Sequence, residues 1–297
     1  MSTSVEGQKG AKGEDHWSSE AYQNAAAFVP KLATKVVGWL DVRDGDRILD
    51  VGCGDGVLNI QIAQALCKES GTGRIHGVDS SVAMITAAKE ATAAIPRISG
   101  ICTFEALDAT LLHTDPELQK ESFDKVFSNA AMHWILRPEN RRDDFFKGVH
   151  KALKPGGIFV FEMGGMGNCA EMRTALLSTL SHRIGIRLAR AADPWFFPST
   201  TWMRRTLTSS PGGFEVLQLE SEYRPTKAGE GGIRAWVILM GKQFFDVVEK
   251  EKGKEVREEC EKEVEEVLRT VVRGDGGDGE EGEWIGYVRL RGVARKL

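Results

Sequence analysis

Residues 47–68, "RILDVGCGDGVLNIQIAQALCK", pass from a branched apolar segment through a glycine-rich turn into a helical pattern. "RILDVGC" (47–53) reads as a strand buried on both faces, and Leu58, Ile62, Ala65 and Leu66 share one helical face. A strand of that kind needs parallel neighbours and covering helices. The chain supplies further strands in "GRIHGVDS" (73–80), "CTFEALDA" (102–109), "FDKVFSNA" (123–130) and "GIFVFEMG" (157–164). Helical patterns lie between them: "VAMITAAKEATAAI" (82–95), stopped by Pro96, and "RDDFFKGVHKALK" (142–154), ending at Pro155-Gly156-Gly157. The expectation is an α/β fold with a parallel sheet and helices on both faces. Right-handed crossovers put the loops that follow each strand along one sheet edge, where ligands of open α/β sheets bind. Asp50 to Gly56, Asp79, Asp108 and Asn129 all fall on that edge.

The second half changes character. Residues 169–190 form an arginine-bearing helical stretch, followed by the aromatic loop "DPWFFPSTTW" (193–202). "FEVLQLESEYRP" (214–225) alternates like a strand, 233–250 and 254–272 read as helices, and "WIGYVRLRGVARK" (284–296) as a last strand. The acid–base alternation of 249–268 predicts a solvated helix face, and "RGDGGDGEEGE" a mobile loop without calcium-loop spacing.

A net charge of -4 gives no reason to expect a nucleic-acid partner, and no apolar run reaches membrane-spanning length. The polar start, "MSTSVEGQKGAKGEDHW", has no apolar signal core. Five cysteines without a CxxC pair, and six histidines without HxxxH, predict neither a disulfide framework nor a metal site. A reducing, cytoplasmic setting is the matching expectation.

The turn at 50–56 also narrows the ligand. A dinucleotide fingerprint requires glycines at 52, 54 and 57, but position 57 is Val57 and the third glycine is Gly56. A phosphate-gripping loop would add Gly-Lys-Ser/Thr, which is missing, and Asp50 would repel a pyrophosphate seated on the helix N-terminus. A ligand carrying a sugar and a cationic amine suits the turn better. Taken singly, Asp55, Asp79 and Ser80 suit helix N-caps equally well.

With these residues in place, the chain resembles the class I S-adenosylmethionine-dependent methyltransferases. "LDVGCGDG" matches their first motif, "GVDSSVAMI" (77–85) and "ALDAT" (106–110) follow in register, and about 15–165 is covered. "FSNAAMHW" (127–134), "LKPGGIFVFEM" (153–163) and Trp17 with Tyr22 are similar to the trans-aconitate methyltransferase branch. The resemblance implies a Rossmann-like, seven-stranded mixed sheet whose last strand is antiparallel, with a helical and aromatic lid. It implies a flexible tail at 1–14 and a single domain at 15–297: a cofactor core (15–165) and substrate or lid elements (166–213 and 226–283).

It further implies S-adenosyl-L-methionine as cofactor and S-adenosyl-L-homocysteine as product. The implied cofactor set is Trp17, Tyr22, Asp50, Gly52, Cys53, Gly54, Gly56, Asp79, Ser80, Met84, Asp108, Ala109, Asn129 and Ala130. In it Asp79 accepts from both ribose hydroxyls, as a carboxylate can, and Asp108 contacts the adenine amino group. His133 and Trp134, after the fourth strand, are candidates for catalysis and positioning; backbone satisfaction and packing are their other reading. Arg173, Arg183, Arg187 and Arg190 are candidate anion binders, because a polycarboxylate needs forked donors. Trp195, Phe196, Phe197 and Trp202 would wall an apolar pocket or anchor a lid over 190–213 that excludes water.

The implied reaction is an in-line displacement giving a methyl ester of a small, trans-aconitate-like acid. A carboxylate needs no base near neutral pH, so positioning dominates. A carbon, nitrogen or phenolic acceptor is the alternative, with His133 as base. A non-catalytic binder of the cofactor and a nicotinamide dehydrogenase are the rivals; a monomer or homodimer is expected.

Overall fold

The computed structural model describes residues 33–66, 72–209, 213–274, 279 and 281–297. Trp17, Tyr22 and the 1–14 tail lie outside the described residues. In chain order the elements are α1 (Thr34–Leu40), β1 (Arg47–Val51), α2 (Val57–Leu66), β2 (Arg74–Asp79), α3 (Val82–Ala93), β3 (Cys102–Ala106), β4 (Phe123–Asn129) and α4 (Met132–Ile135). Next come α5 (Arg142–Ala152), β5 (Leu153–Gly164), α6 (Ala170–Ile184), α7 (Ile186–Ala192), α8 (Thr200–Ser209) and β6 (Phe214–Lys227). The chain ends with α9 (Gly232–Met240), α10 (Lys242–Lys252), α11 (Lys254–Val272), β7 (Arg273–Gly274) and β8 (Gly282–Lys296).

The sheet runs β3-β2-β1-β4-β5-β8-β6. Strands β1 to β5 pair in parallel, and β8 lies antiparallel between β5 and β6. Seven strands thus share one path as expected. The two-residue β7, which closes onto Gly282–Glu283 at the base of the glycine-rich loop, raises the count to eight. Alternation sorts the side chains. Ile48, Phe127 and Val160 pack beneath α1 to α3, while Leu49, Val126 and Phe159 meet Phe145, Phe146 and Val149 of α5 with Met203 and Leu207 of α8. A third apolar cluster joins α6, α7 and α9 to α11 around Trp195, Trp236 and Phe244.

Three boundaries differ from the sequence expectation. Pro155-Gly156-Gly157 lies inside β5, not after a helix: the chain turns extended at Leu153, and the β4–β5 register shifts between Phe123 and Lys125. That bulge absorbs Gly156 at φ +75. Glycines divide both long helical stretches, at Gly185 and at Gly241. In the acid–base run, Cys260, Val264, Leu268 and Val272 recur every fourth residue and are buried against the third cluster. Only the other face of α11 is solvated. Among the described residues no helix is long and apolar enough to cross a membrane.

Candidate functional site

The glycine turn joins β1 to α2, with Gly52, Gly54 and Gly56 at φ +78, +56 and +79. Gly52 and Cys53 donate backbone N–H bonds to the Val78 carbonyl, at 2.8 and 3.1 Å, fastening the turn to β2. Asp79 completes the fastening: one carboxylate oxygen accepts the Gly54 N–H at 3.0 Å, and the other the Ser81 N–H at 2.9 Å. It therefore shapes the cradle as well as lining it. The N-cap of α3 is Ser81, whose hydroxyl accepts the Met84 N–H at 3.1 Å. Ser80 is exposed and is not the cap, while Met84 is buried in the first turn. Asp108, at the end of β3, caps a short 3-10 turn by accepting from the Thr110 N–H and hydroxyl, both at 2.9 Å, with Ala109 buried behind it.

Asp50 sits 2 % exposed at the C-terminal end of β1. Burial first, then the neighbouring Asp79 charge, pushes its carboxyl up to about 8. The same burial and acidic neighbours push the Cys53 thiol up. Asn59 of α2, buried alongside, pulls the carboxyl part of the way back down, although its amide meets strict hydrogen-bond geometry with no described residue. The cradle thus favours a cation and disfavours a phosphate.

At the end of β4, the side-chain oxygen of Asn129 is buried without a hydrogen-bond partner among the described residues. Ala130 follows in the left-handed region at φ +56, held by donation of its N–H to the Glu162 carbonyl at 2.8 Å. Ala131 closes against Gly52, where a Cβ would lie 2.1 Å from the Ala131 methyl. One wall, 129–131, therefore separates the cradle from a second space.

That second space is a recess of about 40 Å³ lined in part by Ala130, His133, Trp134, Trp195, Phe197 and Arg289. Trp195 stacks on Phe197 with ring centroids 5.9 Å apart and meets Trp134 edge-on at 5.6 Å. Trp236 adds a wall and donates its indole N–H to the Tyr287 hydroxyl at 2.8 Å. Burial, and secondarily the Arg289 charge, pull the His133 imidazolium down to about 3. His133 is therefore neutral, and its Nδ1 accepts from the Gly164 N–H at 3.4 Å. So weak a base cannot take a proton effectively near neutral pH, which argues against the base role foreseen for it.

None of the candidate arginines lines the recess, although the Arg173 guanidinium stands 5.8 Å from the Phe197 ring. Arg173 grips Asp193 at 2.6 Å through Nε, and Asp193 in turn accepts the Trp195 N–H at 3.1 Å. It braces the aromatic loop. Arg183 pairs with Glu263 of α11 at 2.6 Å, and Arg187 and Arg190 are exposed. The arginine that does line the recess is Arg289 of β8, which sequence reasoning missed together with Asn168, Trp236, Met240 and Tyr287. A signal existed in "YVRLR": two arginines at period two in a strand share one face, and in the fold both are buried there.

Glu162 of β5 anchors them. It is 1 % exposed, bonds Arg291 directly, and stands 3.7 Å from Arg289 and 3.9 Å from Arg224. Arg291 also reaches Glu220 at 3.1 Å and Glu222.

Residues 42–184 match the family described as "Methyltransferase domain". The chain is 36 % identical to an uncharacterized methyltransferase of Schizosaccharomyces pombe over 95 % of this chain and 99 % of that one. It is 24 % identical to a trans-aconitate 2-methyltransferase of Deinococcus radiodurans, covering 74 % of this chain and 78 % of the other. Among solved structures, a methyltransferase candidate from Bacillus halodurans superposes with a TM-score of 0.56 at 14 % identity, covering 89 % of this chain and 97 % of that one. That likeness concerns the fold.

Proposed function

Because the chain belongs to the class I S-adenosylmethionine-dependent methyltransferases, we propose that it methylates the carboxylate of a small organic acid, giving a methyl ester. The observation that carries this reading is a recess offering a guanidinium and a neutral, feebly basic histidine. An amine, phenol or carbon acceptor must lose a proton, and nothing lining the recess is suited to take it. A carboxylate is already ionised and needs only to be held in line.

The cradle fits the cofactor. A Cβ on Gly54 would meet nothing within 4 Å, so that face is open. In the proposed arrangement Asp79, already oriented by the Gly54 and Ser81 N–H groups, accepts from the ribose hydroxyls. Asp50 faces the ammonium of the amino-acid tail, and Asp108 the adenine amino group. The orphaned Asn129 oxygen takes a donor from the same ligand. When bound, the cofactor supplies a methyl on a cationic sulfur that departs as a neutral thioether. The wall at 129–131 keeps acceptor and cofactor in adjoining spaces, and His133 and Trp134 shape the acceptor side.

Incubation with methyl-labelled S-adenosylmethionine and a panel of carboxylic acids tests the reading. Label released by mild base is expected; label that survives base overturns the ester. His133→Gln is expected to keep kcat within about 5-fold of wild type, with no ionisation from this residue between pH 6 and 8. Loss of a general base would cost about 100-fold or more. A loss of that size restores His133 as the base.

A further inference from the structure

The proposed methyl transfer leaves the acid unnamed, and the recess narrows it. Among the described residues lining it there is one cation, Arg289, and no carboxylate. The rest of the lining is largely aromatic. Arg289 stands in register between Gly164 of β5 and Glu222 of β6, its side chain 3 % exposed, with the guanidinium over the Tyr287 ring at 4.5 Å. Its Nε has no hydrogen-bond partner among the described residues, since Glu162, 3.7 Å away, bonds to Arg291. Arg289 thus shares the Glu162 charge with Arg291 and Arg224 and lines the recess, where a second carboxylate would meet its guanidinium.

We propose that the acceptor is a monocarboxylic acid with an apolar body, and that Arg289 is the residue that grips its carboxylate. This rests on the methyl-ester reading above and deepens it. The recess seats the carboxyl head at Arg289 and sets the body against Trp134, Trp195 and Phe197. A tricarboxylate would bring two further charges into aromatic walls with no cation to meet them, because Arg173 and Arg183 are engaged by Asp193 and Glu263. One carboxylate oxygen accepts from Arg289 while the other attacks. The new C–O bond forms as the C–S bond breaks, and its electron pair stays on sulfur. The ester is neutral, so its attraction to Arg289 falls and release follows.

The test uses the full chain with 3-phenylpropanoate, octanoate, trans-aconitate and the primary amides of the first two. Binding is measured by calorimetry in the presence of S-adenosylhomocysteine, and turnover by base-labile label. The monoacids should exceed trans-aconitate at least 10-fold in kcat/KM, and the amides should not bind. Arg289→Gln should raise KM for the monoacids about 100-fold, lose the acid-over-amide preference and leave S-adenosylhomocysteine affinity unchanged. Arg289→Lys should fall between. Preference for trans-aconitate, equal binding of acid and amide by the wild type, or an unmoved KM overturns the assignment. So does parallel loss of S-adenosylhomocysteine affinity, which would give Arg289 to the cofactor. Should Arg289→Gln not fold, Arg289→Lys and the wild-type acid–amide comparison still decide. If the chain binds S-adenosylhomocysteine but forms no base-labile product with any acid, the ester reading itself fails, and this proposal with it.

Discussion

Gly52→Ala should lower the thermal midpoint by roughly 5–10 °C and remove most S-adenosylhomocysteine binding, whereas Gly54→Ala should lose the binding with a midpoint lowered by only about 3 °C. At Gly52 two penalties coincide. The backbone sits at φ +78, and a Cβ would stand 2.1 Å from the Ala131 Cβ, within reach of Ile135 as well. The Ala131 methyl cannot yield as the tip of a long side chain would, so the 129–131 wall must shift. Overpacking and a left-handed alanine together cost about 3 kcal/mol. At Gly54 the added methyl meets nothing within 4 Å at φ +56, which leaves only a strain of about 1 kcal/mol. Its methyl instead occupies the space proposed for the cofactor. Thermal melts with and without S-adenosylhomocysteine separate the two. Equal stability loss in both variants would mean that Gly54 has no room for the added methyl, and unchanged binding by Gly54→Ala would mean that its open face is not the ligand face.

The contrast between these glycines shows what the sequence could and could not convey. Strand, turn and helix around 47–66 were legible because local periodicity and turn chemistry agree there with the tertiary fold. So was the antiparallel last strand, although only through family resemblance. The double duty of Asp79 was not: its two backbone bonds join segments separated by 25 residues in one case and two in the other. Nor was the recess, which is assembled from α4, the aromatic loop, α9 and β8. Arginine type alone pointed to Arg173 and Arg183, which lie on a helix and can turn toward acidic partners. Arg289 lies in a strand flanked on both sides: the period of "YVRLR" puts it on one face with Arg291, but what that face meets is set by the pairing with β5 and β6. The sequence reading of His133 likewise stopped at proximity to the site; burial decides its protonation, and burial is a property of the assembled fold.

Asp50→Asn should act in opposite directions on the free protein and on its complex. In the free protein the Asp50 carboxyl is raised from 3.8 to about 8, by burial and then by Asp79. Below about pH 4 both folded and unfolded chains carry the proton, and the group contributes nothing. As pH rises from about 4 to 8 the unfolded chain ionises while the folded one resists, so stability falls over that window and the full penalty holds above it. An amide carries no such penalty. The variant should therefore melt above wild type at pH 8, with the gap closing toward pH 4. Binding runs the other way. An ammonium set against Asp50 favours the ionised form, so complex formation by the wild type at pH 7 should release a proton, measurable by calorimetry in two buffers of different ionisation heat. The variant should release none from this site and bind S-adenosylhomocysteine roughly 30-fold more weakly, the loss of a charge-assisted bond. A variant that is less stable than wild type at pH 8, and that binds as tightly, would remove Asp50 from the cation's site. The opposed signs matter because a merely structural aspartate would lose stability and affinity together.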